Sequence, residues 1–242
     1  NFSTPWDYAS TWTQVNTRGY PVHKAMAEGA CIDNQTASTY DAIGLGTQVN
    51  PWVICNEVQM SDIGISACSE SVGTDCDKHF RLGNDINYKS QMANFIGGKT
   101  INPFSGVFDG FGYFLQSYDP SNPSGEDFNA LISTSSGIVK NLNMKDFYVS
   151  GSHRVASLVA QMNDGKVLNS HTQGDLIATG TTYHLGGLVA ESLGDSRVVA
   201  SSYTGEVEGK TEIGGIVGAD NSLGPDFLYI SNSVANIELI NG

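Results

Sequence analysis

The C-terminal half of this 242-residue chain repeats itself with a period of about thirty residues. Four apolar residues precede similar polar steps at spacings of 28, 32 and 31 residues, and they are Val139, Val167, Val199 and Ile230. Two further sets keep nearly the same period: the pairs Leu158-Val159, Leu188-Val189 and Ile216-Val217, and the glycines Gly151, Gly180 and Gly209. Periods of about 20–50 residues are typical of solenoids, propellers and arrays, whose units bury their apolar faces by stacking.

Short alternating runs between Gly or Asn turns, such as Gly205–Gly209, predict that each repeat consists of strands with one buried face. Stacking pairs each strand with the coils above and below it, about 4.8 Å apart, and makes one continuous core. The predicted fold class is therefore all-β, a right-handed parallel β-solenoid with an N-terminal capping region that carries disulfides. The glycines expected at its turns are Gly151, Gly180, Gly186, Gly187, Gly209, Gly214 and Gly215.

Three segments organise the chain. Residues 1–24 form a terminal Trp/Tyr-Pro segment, residues 25–77 a Cys-containing linker or cap, and residues 78–242 the solenoid. Within the second segment, apolar residues at 58, 60, 63 and 65 predict one short amphipathic helix. We expect this helix to cap the open end of the core, because an exposed terminal coil is an unpaired edge.

The four cysteines all lie in the first third of the chain, and their even number favours disulfides formed in an oxidising compartment. Three connectivities are open, and we favour Cys31–Cys55 together with Cys68–Cys76. A zinc site is the competing interpretation, but no Cys-x-x-Cys pair or neighbouring Cys/His doublet supports it.

Charge restricts the partners. The net charge is −13 with only twelve Lys and Arg residues, which cannot supply the positive field that a nucleic acid or an anionic membrane surface requires. No apolar run approaches about 18 residues, so we predict no membrane insertion.

Two glycine-pair motifs, Gly186-Gly-Leu-Val and Gly214-Gly-Ile-Val-Gly, are each followed by a polar turn and an Asn/Ser-Ser step. Upstream lie Phe80-Arg-Leu-Gly-Asn-Asp-Ile-Asn and Phe104-Ser-Gly-Val-Phe-Asp-Gly-Phe-Gly. Over residues 50–242 this pattern resembles the GLUG repeat of bacterial surface proteins. The resemblance implies an adhesin-like protein on the cell surface or outside the cell. Two departures are Ala156-Ser157 in place of the paired glycines, and Ala200 in place of the usual Asn.

The N-terminal run from Trp6 to Trp12, followed by Gly19-Tyr-Pro-Val, is similar to the closing motif of such arrays. Residues 237–242 stop inside a repeat. We therefore expect a segment of a longer tandem-repeat protein. The alternative is that residues 1–24 cap this same solenoid.

Catalytic signatures are absent from the sequence, since its five scattered histidines include no His-Glu-x-x-His and no Gly-x-Ser-x-Gly occurs. The acidic residues Glu206, Glu208 and Glu212, with Glu191 one coil below, form a candidate ligand face for Ca²⁺ or a sugar. Tyr183 and Tyr203 are candidates for stacking on sugar rings. The competing interpretations are a solvated acidic face and aromatic residues that serve packing.

The predicted function is a non-catalytic surface or fibre module for adhesion or recognition, without a cofactor. Its expected partners are a glycan or another cell-surface protein, and self-assembly by strand addition is a further candidate. One alternative is a polysaccharide-active enzyme on a β-helix, because such enzymes use clustered carboxylates. The other is a stalk or filament segment that binds no ligand.

Overall fold

The computed structural model describes residues 12–14, 21–23, 31, 37–68, 74–88, 100–119, 127–179 and 184–240. Four parallel sheets run along one axis, and the coils, of about thirty residues each, contribute strands to successive sheets, with the N-terminal coils absent from the two smaller ones. The chain is thus an all-β parallel solenoid of about six coils, which confirms the predicted fold class.

The longest face is a seven-stranded sheet, and next to it lies a six-stranded sheet. In spatial order, the strands of the first are β3 (Trp52–Ile54), β4 (His79–Leu82), β6 (Val107–Asp109), β10 (Ile138–Lys140), β14 (Lys166–Leu168), β18 (Arg197–Val199) and β22 (Tyr229–Ser231). Those of the second are β5 (Ile86–Asn87), β7 (Phe114–Gln116), β11 (Asn143–Gly151), β15 (His171–Ala178), β19 (Ser202–Glu208) and β23 (Val234–Ile240).

Two four-stranded sheets complete the coils. One contains β8 (Phe128–Asn129), β12 (Arg154–Ala156), β16 (His184–Gly186) and β20 (Ile213–Gly214). The other contains β9 (Ile132–Ser135), β13 (Val159–Asn163), β17 (Val189–Leu193) and β21 (Val217–Asp220).

The observed register confirms one repeat landmark and corrects another. Val159 pairs with Val189 and Val189 with Val217, as the sequence predicted. In the first sheet, however, Val167 pairs with Val198 and not with Val199. The corner between β17 and β18 contains one residue more than the corner one coil below, with Gly194 at φ 63°. Because side chains alternate along a strand, this extra residue decides which of the two valines enters the core.

The predicted series of glycines, Gly151, Gly180 and Gly209, also does not follow a single register position. Gly151 pairs with Ala178, and Gly180 lies outside the described residues. Gly186 and Gly214 do share a register position, at the corner between the two four-stranded sheets. A Cβ on Gly186 would collide with the Val189 carbonyl oxygen, so the chain at this corner passes too close for a side chain.

A ladder of asparagines marks the corner between the two longest sheets. Asn141, Asn169 and Asn232 adopt the left-handed conformation with φ of 51°, 46° and 50°, and Ala200 holds the equivalent place at 51°. The Asn169 amide donates to the Asn141 side-chain oxygen at 2.9 Å, and Asn141 donates to Asp109 at 3.0 Å. Short polar side chains tolerate this conformation best among non-glycine residues, which explains the recurring Asn.

The N-terminal end of the solenoid begins earlier than predicted, because β3 already pairs in parallel with β4. After β3 comes the predicted helix, α1 (Glu57–Asp62), followed by a π-helical turn over Ile63–Ala67. The Asn56 side chain caps α1 by accepting from the Gln59 backbone N–H at 2.9 Å. Met60 and Ile63 enter the main core, whereas Val58 and Ile65 are exposed.

The Cys31–Cys55 disulfide is present, as predicted, and packs against Val53. The predicted Cys68–Cys76 disulfide is not formed, since both residues carry free thiols. The Cys76 thiol donates to the Ala67 carbonyl oxygen at 3.3 Å. Burial, followed by the hydrogen bond to Cys76, raises the pKa of Cys68, and burial also raises the pKa of Cys76. Both thiols therefore stay protonated, whereas oxidation proceeds through the thiolate.

In residues 1–24, the described strands β1 (Trp12–Gln14) and β2 (Pro21–His23) pair antiparallel with each other. They form a separate two-stranded sheet. The hypothesis that this segment closes a preceding array stays a prediction.

Candidate functional site

The predicted acidic face separates into different places in the structure. Glu206 lines a groove on the outside of the six-stranded sheet, and Glu208 lies two residues further along the same strand, outside the groove lining. Glu191 and Glu212 instead meet at His184, in a polar cluster on the four-stranded sheets. The expectation that Glu206, Glu208 and Glu212 lie together, with Glu191 one coil below, is therefore wrong.

The groove has a volume of about 690 Å³ and crosses β11, β15, β19 and β23. It begins at a β-bulge, where the register between β11 and β15 shifts between Lys145 and Phe147. The extra residue, Asp146, has φ 52°. A bulge bends the strand that carries it, and here it accompanies a concave surface on the sheet.

Two columns of polar side chains form the walls of this groove. On one wall Gln173, Thr204 and Asn236 are in register on three successive coils. On the other wall Glu206 is in register with Glu238, and its backbone N–H donates to Asp175 one coil below at 3.3 Å. Each of these coils thus presents one neutral polar side chain and one carboxylate.

On the two middle coils the floor of the groove is the backbone of Gly174 and Gly205, which Tyr203 supports from beneath, and Ile237 is in register with Gly205 on the next coil. At Gly205 φ is 154°, and a Cβ there would collide with the Gly174 carbonyl oxygen. The Tyr203 hydroxyl lies 2.9 Å from the carbonyl oxygens of both Gly174 and Glu206, to which it donates. Tyr203 is fully buried, so its predicted role as an exposed sugar-stacking ring is wrong, because its ring is needed to fill the core under the bend.

Tyr148 is the aromatic residue that the groove does expose, with 41% of its surface accessible. It occupies the register position of Asp175 on the preceding coil. The other predicted aromatic residue, Tyr183, lies outside the described residues.

The groove is strongly negative. Asp146, Asp175, Glu206 and Glu238 all line it, and none of them takes part in the ion pairs that join described residues. Asp146 accepts a hydrogen bond from the Gln116 amide at 2.8 Å. Like charges on neighbouring strands repel one another, so this column costs the fold some stability.

The second polar site centres on the carboxylate of Glu191, whose side chain is 6% exposed. It accepts hydrogen bonds from Arg154 Nε at 2.5 Å, Gln161 Nε2 at 2.6 Å and Asn221 Nδ2 at 2.7 Å. His184 Nε2 lies 3.6 Å away, and the other ring nitrogen of His184 contacts Glu212.

Burial by itself would raise the pKa of Glu191, but the hydrogen bonds from Arg154, Gln161 and Asn221 and the charge of Arg154 outweigh it and lower the pKa. The carboxylate is held ionised, and its acceptor positions are occupied by groups from the two coils on either side of it. In this arrangement the buried carboxylate links neighbouring coils through hydrogen bonds. It does not suit a general acid, because a general acid needs a raised pKa.

Metal binding finds little support. Within the described ranges, no group of three or more His, Cys, Asp or Glu side chains is arranged to hold a metal ion. The suggestion of Ca²⁺ therefore has no ligand set among those residues.

Sequence reasoning missed most of the groove. Asp175, Glu206 and Glu238 follow one another at 31 and 32 residues, the spacing of the repeat, so a full register alignment would have grouped them. The bulge at Asp146 has no comparable signal, because an inserted residue shows only when the strands on both sides are known.

Comparison with known proteins supplies one relative and one structural neighbour. The chain is similar to halomucin. Identity to this protein from Haloquadratum walsbyi is 30% over 185 residues, and the match covers 71% of the chain. The chain spans only about 2% of the length of halomucin. No protein-family model matches.

The structural neighbour is a crystal structure from Bacteroides ovatus, described as a candidate immunoglobulin A1 protease. Its TM-score is 0.55 at 16% identity, with 82% of this chain and 69% of that chain covered. At such low identity the likeness shows the fold alone. The helical residues that the structure describes include no segment with the length and hydropathy of a membrane-spanning helix.

Proposed function

We propose that this chain is a non-catalytic recognition module of a secreted or cell-surface protein, and that it binds a glycan in the groove on the six-stranded sheet. The groove is the observation that carries the proposal. It joins an exposed aromatic ring, Tyr148, to a series of amide, hydroxyl and carboxylate groups on a rigid scaffold. Such groups bind the hydroxyls of a sugar, which both donate and accept hydrogen bonds.

The relative supports the surface location. Halomucin bears the name of a mucin-like protein, and a repeat solenoid with an N-terminal disulfide fits a protein exposed to oxidising surroundings. The GLUG assignment stays a prediction, since no family model matches.

The polar cluster supports a non-catalytic role. Burial alone would raise the pKa of Glu191, but its hydrogen-bond partners lower it and hold the enclosed carboxylate ionised. A retaining or inverting glycosidase needs one carboxylic acid with a raised pKa beside a second carboxylate.

A glycan array probed with the purified chain tests the proposal. We expect binding to a subset of glycans, and we expect Glu206→Ala to weaken it. If no glycan on a broad array binds, the result favours a stalk segment without a ligand. If reducing ends are released from a bound polysaccharide, the result favours a polysaccharide-active enzyme.

Self-assembly through strand addition stays a prediction of its own.

A further inference from the structure

We propose that the groove binds a linear, uncharged glycan that lies parallel to the solenoid axis, with about one sugar unit on each coil. The inference rests on the proposed function and specifies its ligand. Its basis is the direction, the period and the charge of the groove.

The direction of the groove requires an extended ligand. The lining residues belong to one strand from each of four successive coils, β11, β15, β19 and β23. Neighbouring strands are about 4.8 Å apart, so the groove extends about 14 Å along the axis. A compact ligand would contact one or two coils and leave the others empty.

The period of the groove requires a repeating ligand. In the wall of neutral polar residues, Gln173, Thr204 and Asn236 hold the same register position on three successive coils. The opposite wall keeps a carboxylate on each of the same coils, and Gly174 and Gly205 keep the floor free of side chains on two of them, with Ile237 at the corresponding position on the third. A polymer whose unit is about as long as one coil makes similar contacts with both walls on each of these three coils, as a sugar chain does.

The charge of the groove selects against acidic sugars. Carboxylates only accept hydrogen bonds, whereas amides and hydroxyls also donate them. A sugar hydroxyl donates to the carboxylate wall and exchanges hydrogen bonds with the other wall. A uronate or sulfate would instead face Asp175, Glu206 and Glu238 with no cation among the lining residues.

A peptide is the less favoured occupant. Extended peptides are commonly bound through their backbone, which pairs with a free sheet edge. The strands β15 and β19 are each paired on both sides, so the middle of the groove offers no such edge. Binding of a basic peptide is therefore an outcome of the test that contradicts the proposal.

Calorimetric titration with oligosaccharides of increasing length tests the inference. The probes are neutral gluco- and manno-oligosaccharides of two to six units, oligogalacturonides of the same lengths, and tetralysine. We expect the affinity for one neutral series to rise about fivefold per added unit, because each unit gains about one net hydrogen bond. The rise should level off near four units, the number of coils that line the groove.

The control variants lie on one strand. Glu206→Ala should weaken binding of the neutral tetramer about tenfold, from the loss of hydrogen bonds to a charged group. Glu208→Ala makes the same change of charge two residues away, outside the groove lining, and should leave binding unchanged. Thermal unfolding of both variants confirms that they are folded.

Several results would overturn the inference: affinity that does not depend on length, oligogalacturonides that bind as tightly as the neutral chains, or tetralysine that binds more tightly than either. A glycan array that is positive only for branched or acidic glycans would contradict this inference and leave the proposed function standing. An array without any signal would remove the proposed function as well.

Discussion

Ala200→Asn is expected to stabilise the protein, because Ala200 interrupts the asparagine ladder at the corner between the two longest sheets. Its φ of 51° matches the φ of Asn141, Asn169 and Asn232. The backbone ladder is continuous at this corner, since Asn169 N donates to Val199 O at 2.9 Å and Ala200 N to Ser231 O at 3.0 Å. An asparagine at 200 would stand directly between Asn169 and Asn232.

The magnitude follows from two contributions. An ordinary L-residue in the left-handed conformation costs roughly 1–2 kcal/mol, and we expect Asn to relieve about half of that. A ladder hydrogen bond like the one between Asn169 and Asn141, here at an exposed position, adds about 0.5 kcal/mol. The sum is about 1–1.5 kcal/mol, or a rise in Tm of roughly 3–5 °C for a chain of this size.

Urea unfolding and thermal melts followed by circular dichroism measure this change. Asn169→Ala is the matched control, and it should lose a similar amount because it breaks the ladder one coil below. Ala200→Gly relieves the backbone strain without a side chain, and its greater freedom when unfolded offsets the gain. An Ala200→Asn variant no more stable than the parent, together with a neutral Asn169→Ala, would refute the reasoning.

Three further predictions concern buried polar groups. Glu191→Ala leaves Arg154 without its partner and should cost about 3–5 kcal/mol in urea unfolding. Because the folded pKa of Glu191 is lowered, its contribution is complete above the unfolded value of about 4.3 and disappears as the pH falls through the folded pKa. Tm measured against pH should therefore fall on the acid side, less steeply in Glu191→Gln. Ser201 donates to Val199 O at 2.9 Å and accepts from Ser170 N at 3.1 Å, so Ser201→Ala should cost about 1–3 kcal/mol, and an unchanged urea midpoint would contradict this. The buried Cys68 thiol should react with a thiol reagent only after unfolding, and rapid labelling of Cys68 in the native chain would contradict this, whereas Cys76 is only half-buried.

The part of the fold that could be predicted rests on periodic apolar residues. Val159, Val189 and Val217 lie in one register as expected, because residues that fill the same core position must recur once per coil. The helix after β3 was also predicted, from the spacing of apolar residues that includes Met60 and Ile63. The sequence identifies such elements because the apolar residues that bury one face of a helix or strand recur at a fixed, short spacing along the chain.

The errors arose where two neighbouring residues were chemically equivalent or where distant residues meet. Val198 and Val199 are both suitable core residues, and only the length of the preceding corner decides between them. Glu191 and Glu206 looked alike in sequence, yet one is enclosed by Arg154, Gln161 and Asn221 and the other faces the open groove.

The sequence alone determined the repeat and the stacking of coils, since both follow from spacing along the chain, whereas of the two disulfides favoured from spacing only Cys31–Cys55 is formed. Only the tertiary structure decided where the functional surface lies. The bulge at Asp146 lies at one end of a groove that strands from four coils line, and Tyr203 supports the floor from within the core. These relations depend on register between coils about thirty residues apart, which one inserted residue changes and which composition does not encode.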